Sequence, residues 1–157
     1  MGEKSGDIVF RRFRSTDTEL YLKARRLREA VFVREHNVPA DMEYGNEEQS
    51  IHYLLFDGGE VRATGRWRRT EQGIKLERFV VPAPYRSRGY GTMILQRILQ
   101  EVLHDHSEVY LHAQKGAVDY YRKSGFRVKG AAFEEAGLIH YKMVYRPPTQ
   151  GSTRNEE

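Results

Sequence analysis

Two arginines and two glycines stand where a strand-like run ends and a helical one begins. The segment reads Val80-Val81-Pro82-Ala83-Pro84-Tyr85-Arg86-Ser87-Arg88-Gly89-Tyr90-Gly91-Thr92. Chemically this is a cradle for a pyrophosphate. Glycines let backbone N–H groups converge on oxyanions, and the helix N-terminus adds partial positive charge. Arg86 and Arg88 can add charge-assisted hydrogen bonds. The same pattern also describes a plain glycine-rich turn, so the rest of the chain must decide.

The elements around the cradle read as mixed α/β. Ile8 to Arg14 alternates apolar and basic residues, as a half-buried strand does. Thr16-Asp17-Thr18-Glu19 resembles a capping box with Thr16 at the cap. Leu20, Ala24, Leu27 and Val31 then follow at helical spacing, and the helix should fade over Val33 to Asn37, before Val38-Pro39. Residues 41–49 are polar and acidic and are expected to form a loop or short helix. Asp57-Gly58-Gly59-Glu60 is a hairpin signal between Ile51 to Phe56 and Val61 to Thr70. A second turn at Gln72-Gly73 leads into Ile74 to Val81, completing an antiparallel meander that the prolines terminate. Gly91 to Leu103 is a second helix, with Ile94, Leu95, Ile98, Leu99, Val102 and Leu103 expected on its buried face. A strand over Val109 to His112 and a short helix over Ala117 to Ser124, closed by Gly125, follow. Phe126 to Phe133 and Ile139 to Tyr145 form a last hairpin. The reading is a polar tail over residues 1–7, one domain over 8–146 and a disordered polar tail over 147–157.

Two motifs in this order carry a family resemblance. Arg86-x-x-Gly89-x-Gly91 after a strand resembles the first signature of the GNAT superfamily of N-acetyltransferases. Tyr120-Tyr121-Arg122-Lys123-Ser124-Gly125-Phe126 is similar to its second signature. Leu27-Arg28-x-x-Val31-Phe32-Val33-x-Glu35, Val38-Pro39, Leu111-His112-Ala113-Gln114 and Phe133-Glu134-Glu135-Ala136-Gly137-Leu138-Ile139-His140 resemble the ElaA/YjcF-like branch. The resemblance spans roughly residues 8–145.

The resemblance implies a central, mostly antiparallel, twisted sheet flanked by helices, and acetyl-coenzyme A as acyl donor. It implies that the pantetheine arm pairs with the backbone of Phe79, Val80 and Val81. The pyrophosphate would then rest on N–H groups from Ser87 to Thr92 (Ser87, Arg88, Gly89, Tyr90, Gly91 and Thr92), with Arg86 beside them. Gln114 falls where many members carry an asparagine that touches the pantetheine.

Acetyl transfer to an amine needs two proton movements: the ammonium must lose one, and the departing thiolate must gain one. Without a cysteine, direct attack in a ternary complex is the economical route. Tyr121 corresponds to the family's usual general acid, with Tyr120 expected to pack instead, since neighbours on a helix point about 100° apart. The base has two candidates. Glu77 aligns with a glutamate proposed as base in related glucosamine-phosphate acetyltransferases, and period-2 alternation puts it on one face with Phe79 and Val81. His140 stands where the resembling branch commonly carries a histidine, and imidazole as a side-chain type suits an amine base. His52 is a third, more structural choice.

Arg66 and Arg68 share a strand face, and Arg28 lies near the end of the first helix. Together they suggest a cleft for an acceptor carrying a carboxylate or phosphate beside its amine. The expected acceptor is a small-molecule amine; a protein or peptide amine and a non-catalytic acetyl-CoA-binding role are the alternatives. A homodimer is compatible with the sequence.

Composition sets the outer bounds. The chain has 157 residues, net charge +4 and no cysteine, so neither a disulfide framework nor a thiolate metal site is available. The basic residues are mixed with acids, as in Arg25-Arg26-Leu27-Arg28-Glu29, unlike the basic stripe of a nucleic-acid binder. No apolar run approaches the roughly 18 residues of a membrane span. No histidine set has metal-ligand spacing. The expectation is a cytoplasmic enzyme without metal, nucleic-acid or membrane partner.

Overall fold

A computed structural model describes residues 7–31 and 45–147. The expected helix end over Val33 to Asn37, the Val38-Pro39 stop, positions 41–44 of the polar loop, and residues 1–6 and 148–157 of the tails lie outside these residues. The described chain divides into two compact units, one within residues 7–106 and one within 107–147.

The first unit is an antiparallel meander of four strands: β1 (Ile8–Phe13), β2 (Ile51–Asp57), β3 (Glu60–Thr70) and β4 (Gly73–Val80). The β2–β3 turn places Gly58 at φ 62° and Gly59 at φ 87°. Two left-handed residues in a two-residue loop match the right-handed twist of the flanking strands, which explains the glycine pair. Helix α1 (Thr18–Arg28) lies on one face, where Leu20 and Ala24 meet Phe13 and Leu54. Its cap is Asp17, whose carboxylate accepts from Leu20 N at 3.4 Å. Thr16 is not the cap, because the helix begins one residue later than the capping-box spacing suggests.

Helix α2 (Tyr90–Val102) covers the other face of the meander. Its buried residues are Tyr90, Ile94, Leu95, Ile98, Leu99 and Val102. Each aliphatic side chain so buried stabilises the unit by about 1.5–3 kcal/mol. Leu103, expected in this stripe, is 45% exposed. The helix ends at Val102, and Leu103 serves as its C-cap rather than as a packing residue.

Strand β4 contains the irregularity that matters most. Thr64 pairs with Val80 and Arg66 with Glu77, so one residue of β3 faces two of β4. The bulge sits at Arg78, in left-handed backbone at φ 60°. Beside it, the Phe79 ring lies over Gly65, where a Cβ would come within 2.8 Å of two ring atoms. Gly65 also neighbours Ile98 and so belongs to the α2 face. Glu77 pairs with Arg66 on the opposite face. The expectation that Glu77 and Phe79 share a face is therefore corrected: a bulge inserts one residue and resets the alternation.

The second unit holds β5 (Val109–Gln114), a 3-10 turn (Lys115–Ala117), α3 (Val118–Lys123), β6 (Phe126–Val128), β7 (Phe133–Glu135) and β8 (Leu138–Tyr145). Strand β8 pairs antiparallel with β5, β6 and β7. The expected unbroken strand from Phe126 to Phe133 is in fact two. Val128 pairs with Met143 and Phe133 with His140, so four intervening residues on one side face two on the other. Gly130 in this break has φ 93°, a conformation that leaves the ladder. The β7–β8 turn has Ala136 at φ 52° and Gly137 at φ 79°, again two left-handed residues.

Candidate functional site

In the first unit, β4 ends at Val80, and a 3-10 turn (Ala83–Tyr85) starts at the first residue after Pro82. Arg86 is extended and donates from Nε to the Val81 carbonyl at 2.7 Å. Ser87 and Gly89 then adopt left-handed φ values of 66° and 90°, flanking Arg88. Alternation of this kind turns successive N–H groups inward and forms an anion-binding concavity. Gly89 is the N-cap of α2; no side chain caps this helix and no acid stands in its first turn. A helix N-terminus of this kind presents backbone N–H groups and partial positive charge that favour an anion. A pyrophosphate fits this donor set.

Contacts from β3 and the β2–β3 turn brace the loop. The Tyr90 hydroxyl donates to Asp57 at the β2–β3 turn. The Arg62 guanidinium lies 3.9 Å from the centre of the Tyr85 ring, and that of Arg88 lies 5.6 Å from it. Arg62 occupies a bulge of β3, between Ala63 facing Leu55 and Val61 facing Phe56. Only the fold brings these residues to the loop.

On the α1 face lies a buried network of charges. Arg28 and Arg66 are each 1% exposed. Arg28 Nη2 donates to Glu47 Oε2 at 2.8 Å, and Arg66 Nη1 also donates to that oxygen. Arg66 donates to Glu77 Oε2 from Nη2 at 2.6 Å and from Nε at 2.9 Å. Arg68 Nε reaches the same oxygen at 2.7 Å, while Lys75 and Arg78 approach Glu77 Oε1 at 3.4 and 3.8 Å. Burial by itself would raise the Glu77 carboxyl, but Arg66, Arg68, Arg78 and Lys75 outweigh it and hold it at about 2. Burial likewise opposes ionisation of Glu47, and Arg28 overrides it, leaving the carboxyl below its usual range. Tyr21 is pushed up to about 12 by burial and then by Glu47.

Arg28 and Arg66 therefore do not line an open cleft, as their spacing suggested. Buried guanidinium groups need counter-ions, and Glu47 and Glu77 supply them. Arg68 sits at the margin of the network. Glu47 gave no advance signal, because it lies in a polar stretch that reads as a loop. His52 is structural: its Nε2 donates to the Glu47 carbonyl at 3.1 Å and its ring stacks on Phe13 at 5.4 Å.

In the second unit, α3 ends at Lys123 and the chain turns at Gly125, whose φ of 103° suits glycine; a Cβ there would also meet the Tyr145 ring at 2.9 Å. The turn delivers Phe126, 1% exposed, edge-on to Tyr121 with ring centres 6.0 Å apart. Tyr120 is 41% exposed, and Tyr121 is half-buried. Burial, then the neighbouring Tyr120, push the Tyr121 phenol well above its ordinary value, so it stays protonated at neutral pH. No described residue bonds to its hydroxyl.

Gln114 and His140 stand opposite each other on β5 and β8. His140 stacks on Phe133, and its Nδ1 lies 2.9 Å from the Leu138 carbonyl. A carbonyl only accepts, so Nδ1 carries the proton and Nε2 keeps the lone pair. Among the described residues no three His, Asp or Glu side chains gather as a metal-ligand set, and no helix is long and apolar enough to cross a membrane.

The geometry has counterparts in known proteins. Residues 19–147 match the family model of the acetyltransferase (GNAT) domain. YjcF of Bacillus subtilis strain 168, described as an uncharacterized N-acetyltransferase, is 39% identical over 122 residues, covering 75% of this chain and 86% of that protein. The crystal structure of Escherichia coli ElaA superposes with a TM-score of 0.79 at 23% identity, covering 89% of this chain and all of that one. An acyl-CoA N-acyltransferase from Pseudomonas aeruginosa gives 0.76 at 26% identity, covering 88% and 99%. The matched domain and the 39% identical relative make this chain a member of the GNAT acetyltransferase family, an acyltransferase whose donor is acetyl-CoA.

Proposed function

We propose that the protein is an N-acetyltransferase that moves the acetyl group of acetyl-CoA to the amine of a small molecule by direct attack in a ternary complex. The observation that carries this reading is the loop in which Ser87 and Gly89 adopt left-handed backbone, with Gly89 as the N-cap of α2. Backbone from Ser87 to Thr92 would hold the pyrophosphate, with Arg86 and Arg88 adding charge. Phe79, Val80 and Val81 would pair with the pantetheine arm, and Gln114 would contact it.

Acetyl-CoA supplies a thioester whose carbonyl carbon the amine attacks, so a C–N bond forms, the C–S bond breaks and CoA leaves as its thiol. Tyr121 donates its phenolic proton to the departing sulfur, a role for which its protonated state at neutral pH suits it. His140 accepts the ammonium proton at Nε2, because Nδ1 is already committed to Leu138. Glu77 is the poorer base: a carboxylate held at about 2 by four cations has little affinity for a proton. With no cysteine to oxidise, a reducing compartment such as the cytoplasm suits the chain.

The test is release of free CoA thiol from acetyl-CoA in the presence of amino acids, polyamines, amino sugars and short peptides. Turnover with a small amine supports the reading. Turnover confined to peptides would move the acceptor class, and absence of acetyl-CoA binding by calorimetry at millimolar concentration would remove the reading altogether.

A further inference from the structure

A square of four side chains on the α1 face of the β3–β4 pair carries three positive charges and one negative. Arg66 and Arg68 stand two apart on β3, and Glu77 and Lys75 face them in register on β4. Arg68 and Lys75 are thus directly opposite, a like-charge cross-strand pair that destabilises a sheet. The one carboxylate both reach is Glu77, which already takes two bonds from Arg66. Arg66 has a second counter-ion in Glu47, whereas Arg68 and Lys75 share Glu77 alone among the described residues. Their side chains are only 19% and 12% exposed, so water neutralises them incompletely.

Arg68 also has the free donors of a receptor. Its Nε is engaged by Glu77, while Nη1 and Nη2 bond to no described residue. A guanidinium edge of this kind binds a carboxylate or phosphate with two parallel hydrogen bonds. Opposed cations that share a single acid with Arg66 break a local rule of sheet stability, and such breaks concentrate at functional sites.

We propose that Arg68 and Lys75 form an oxyanion site for the acceptor, so that the amine substrate carries a carboxylate or a phosphate. This rests on the acetyltransferase reading above and names its substrate class. Arg28 and Arg66, with Glu47 and Glu77, are positioning residues that fix the site from beneath. The site lies on the same strand as the segment proposed to pair with the pantetheine arm. From Lys75 to Phe79 is four residues, at most about 13 Å of strand, a distance that suits a small molecule.

The closing experiment has a binding arm and a transfer arm. In the first, inorganic phosphate and acetate are titrated separately into the full chain with CoA saturating, so that the cradle is filled, and melting temperature is followed. At least one anion should stabilise the wild type, with the apparent affinity falling tenfold or more in Arg68→Gln and in Lys75→Met. The two anions separate a phosphate from a carboxylate site. In the second arm, O-phosphoethanolamine is compared with ethanolamine, and β-alanine with propylamine. The anionic member of at least one pair should have the higher kcat/KM by tenfold or more, and Arg68→Gln should narrow that ratio without changing the Kd of acetyl-CoA. No stabilisation of the wild type by either anion, equal responses in wild type and both variants, or equal use of charged and neutral amines would overturn the proposal. If phosphate binds through Arg68 but CoA does not bind and no amine is acetylated, the acetyltransferase reading fails while the oxyanion site stands.

Discussion

Arg66 and Glu77 face each other across β3 and β4 and are joined by two hydrogen bonds to one carboxylate oxygen, at 2.6 and 2.9 Å. Both are buried, so removing either leaves the buried charges around it short of a counter-ion. The pair holds the Glu77 carboxyl ionised and well below the usual carboxylate range.

A pH dependence of stability follows from that anion. The folded value of Glu77, about 2, lies below the roughly 4.3 of an unfolded glutamate. The contribution is therefore complete above the unfolded value and is lost as pH falls from there toward 2. A shift of this size corresponds to about 3 kcal/mol. Thermal melts between pH 7 and pH 2.5 should show a steep acid loss in the wild type and a shallower one in Glu77→Gln. Glu77→Gln should already be destabilised at pH 7, because Arg66 keeps its charge. Parallel curves for the two proteins would contradict the linkage.

Gly65 is a second pressure point. A methyl group there would meet the Phe79 ring at 2.8 Å, too close for contact without movement. Gly65→Ala should destabilise by about 1–3 kcal/mol. If the Phe79 ring is the obstacle, Phe79→Leu should relieve part of the cost, and a double-mutant cycle in urea should return a coupling energy above about 0.5 kcal/mol. Strict additivity would mean that the bulge is set by something else.

At Gly89 the argument is conformational. Nothing lies within 4 Å of a Cβ built there, but φ is 90°. Gly89→Ala should therefore cost about 1–2 kcal/mol through backbone strain alone. Gly89→Val should also weaken acetyl-CoA binding, measured by calorimetry. Ser87→Gly, which removes a non-glycine residue from φ 66°, should leave the fold intact. Unchanged acetyl-CoA affinity in a folded Gly89→Val variant would argue against the cradle.

Proton transfer separates Tyr121 from Tyr120 and His140 from Glu77. Tyr121→Phe keeps the ring against Phe126 and removes the donor, so kcat should fall by about 10²–10⁴ with acetyl-CoA affinity retained. Tyr120→Phe, on the more exposed neighbour, should change kcat far less. His140→Asn should abolish the acidic limb of the kcat/KM profile, and Glu77→Gln should leave that limb in place. The reverse pattern would return the base role to Glu77, and near-full turnover in Tyr121→Phe would remove the acid.

Features with local causes are legible in the residues alone. Gly58-Gly59 marks the β2–β3 hairpin because its two-residue turn needs left-handed backbone, which glycine adopts freely. The stripe Ile94, Leu95, Ile98, Leu99 and Val102 marks α2 because helical periodicity places those residues on one side. The loop that opens α2 is legible for the same reason: its glycines, its arginines and the helix it opens are contiguous. Tertiary structure decided what depends on distant partners. Arg78 takes left-handed backbone although its type does not favour it, because Phe79 must lie over Gly65 on the neighbouring strand. That single bulge separates Glu77 from Phe79, which period-2 counting had put together. Glu47 reaches Arg28 and Arg66 across 19 residues on either side, with no spacing to announce it. Strand alternation and helix periodicity are short-range properties of the backbone, whereas a buried charge finds its counter-ion only once the chain has closed around it.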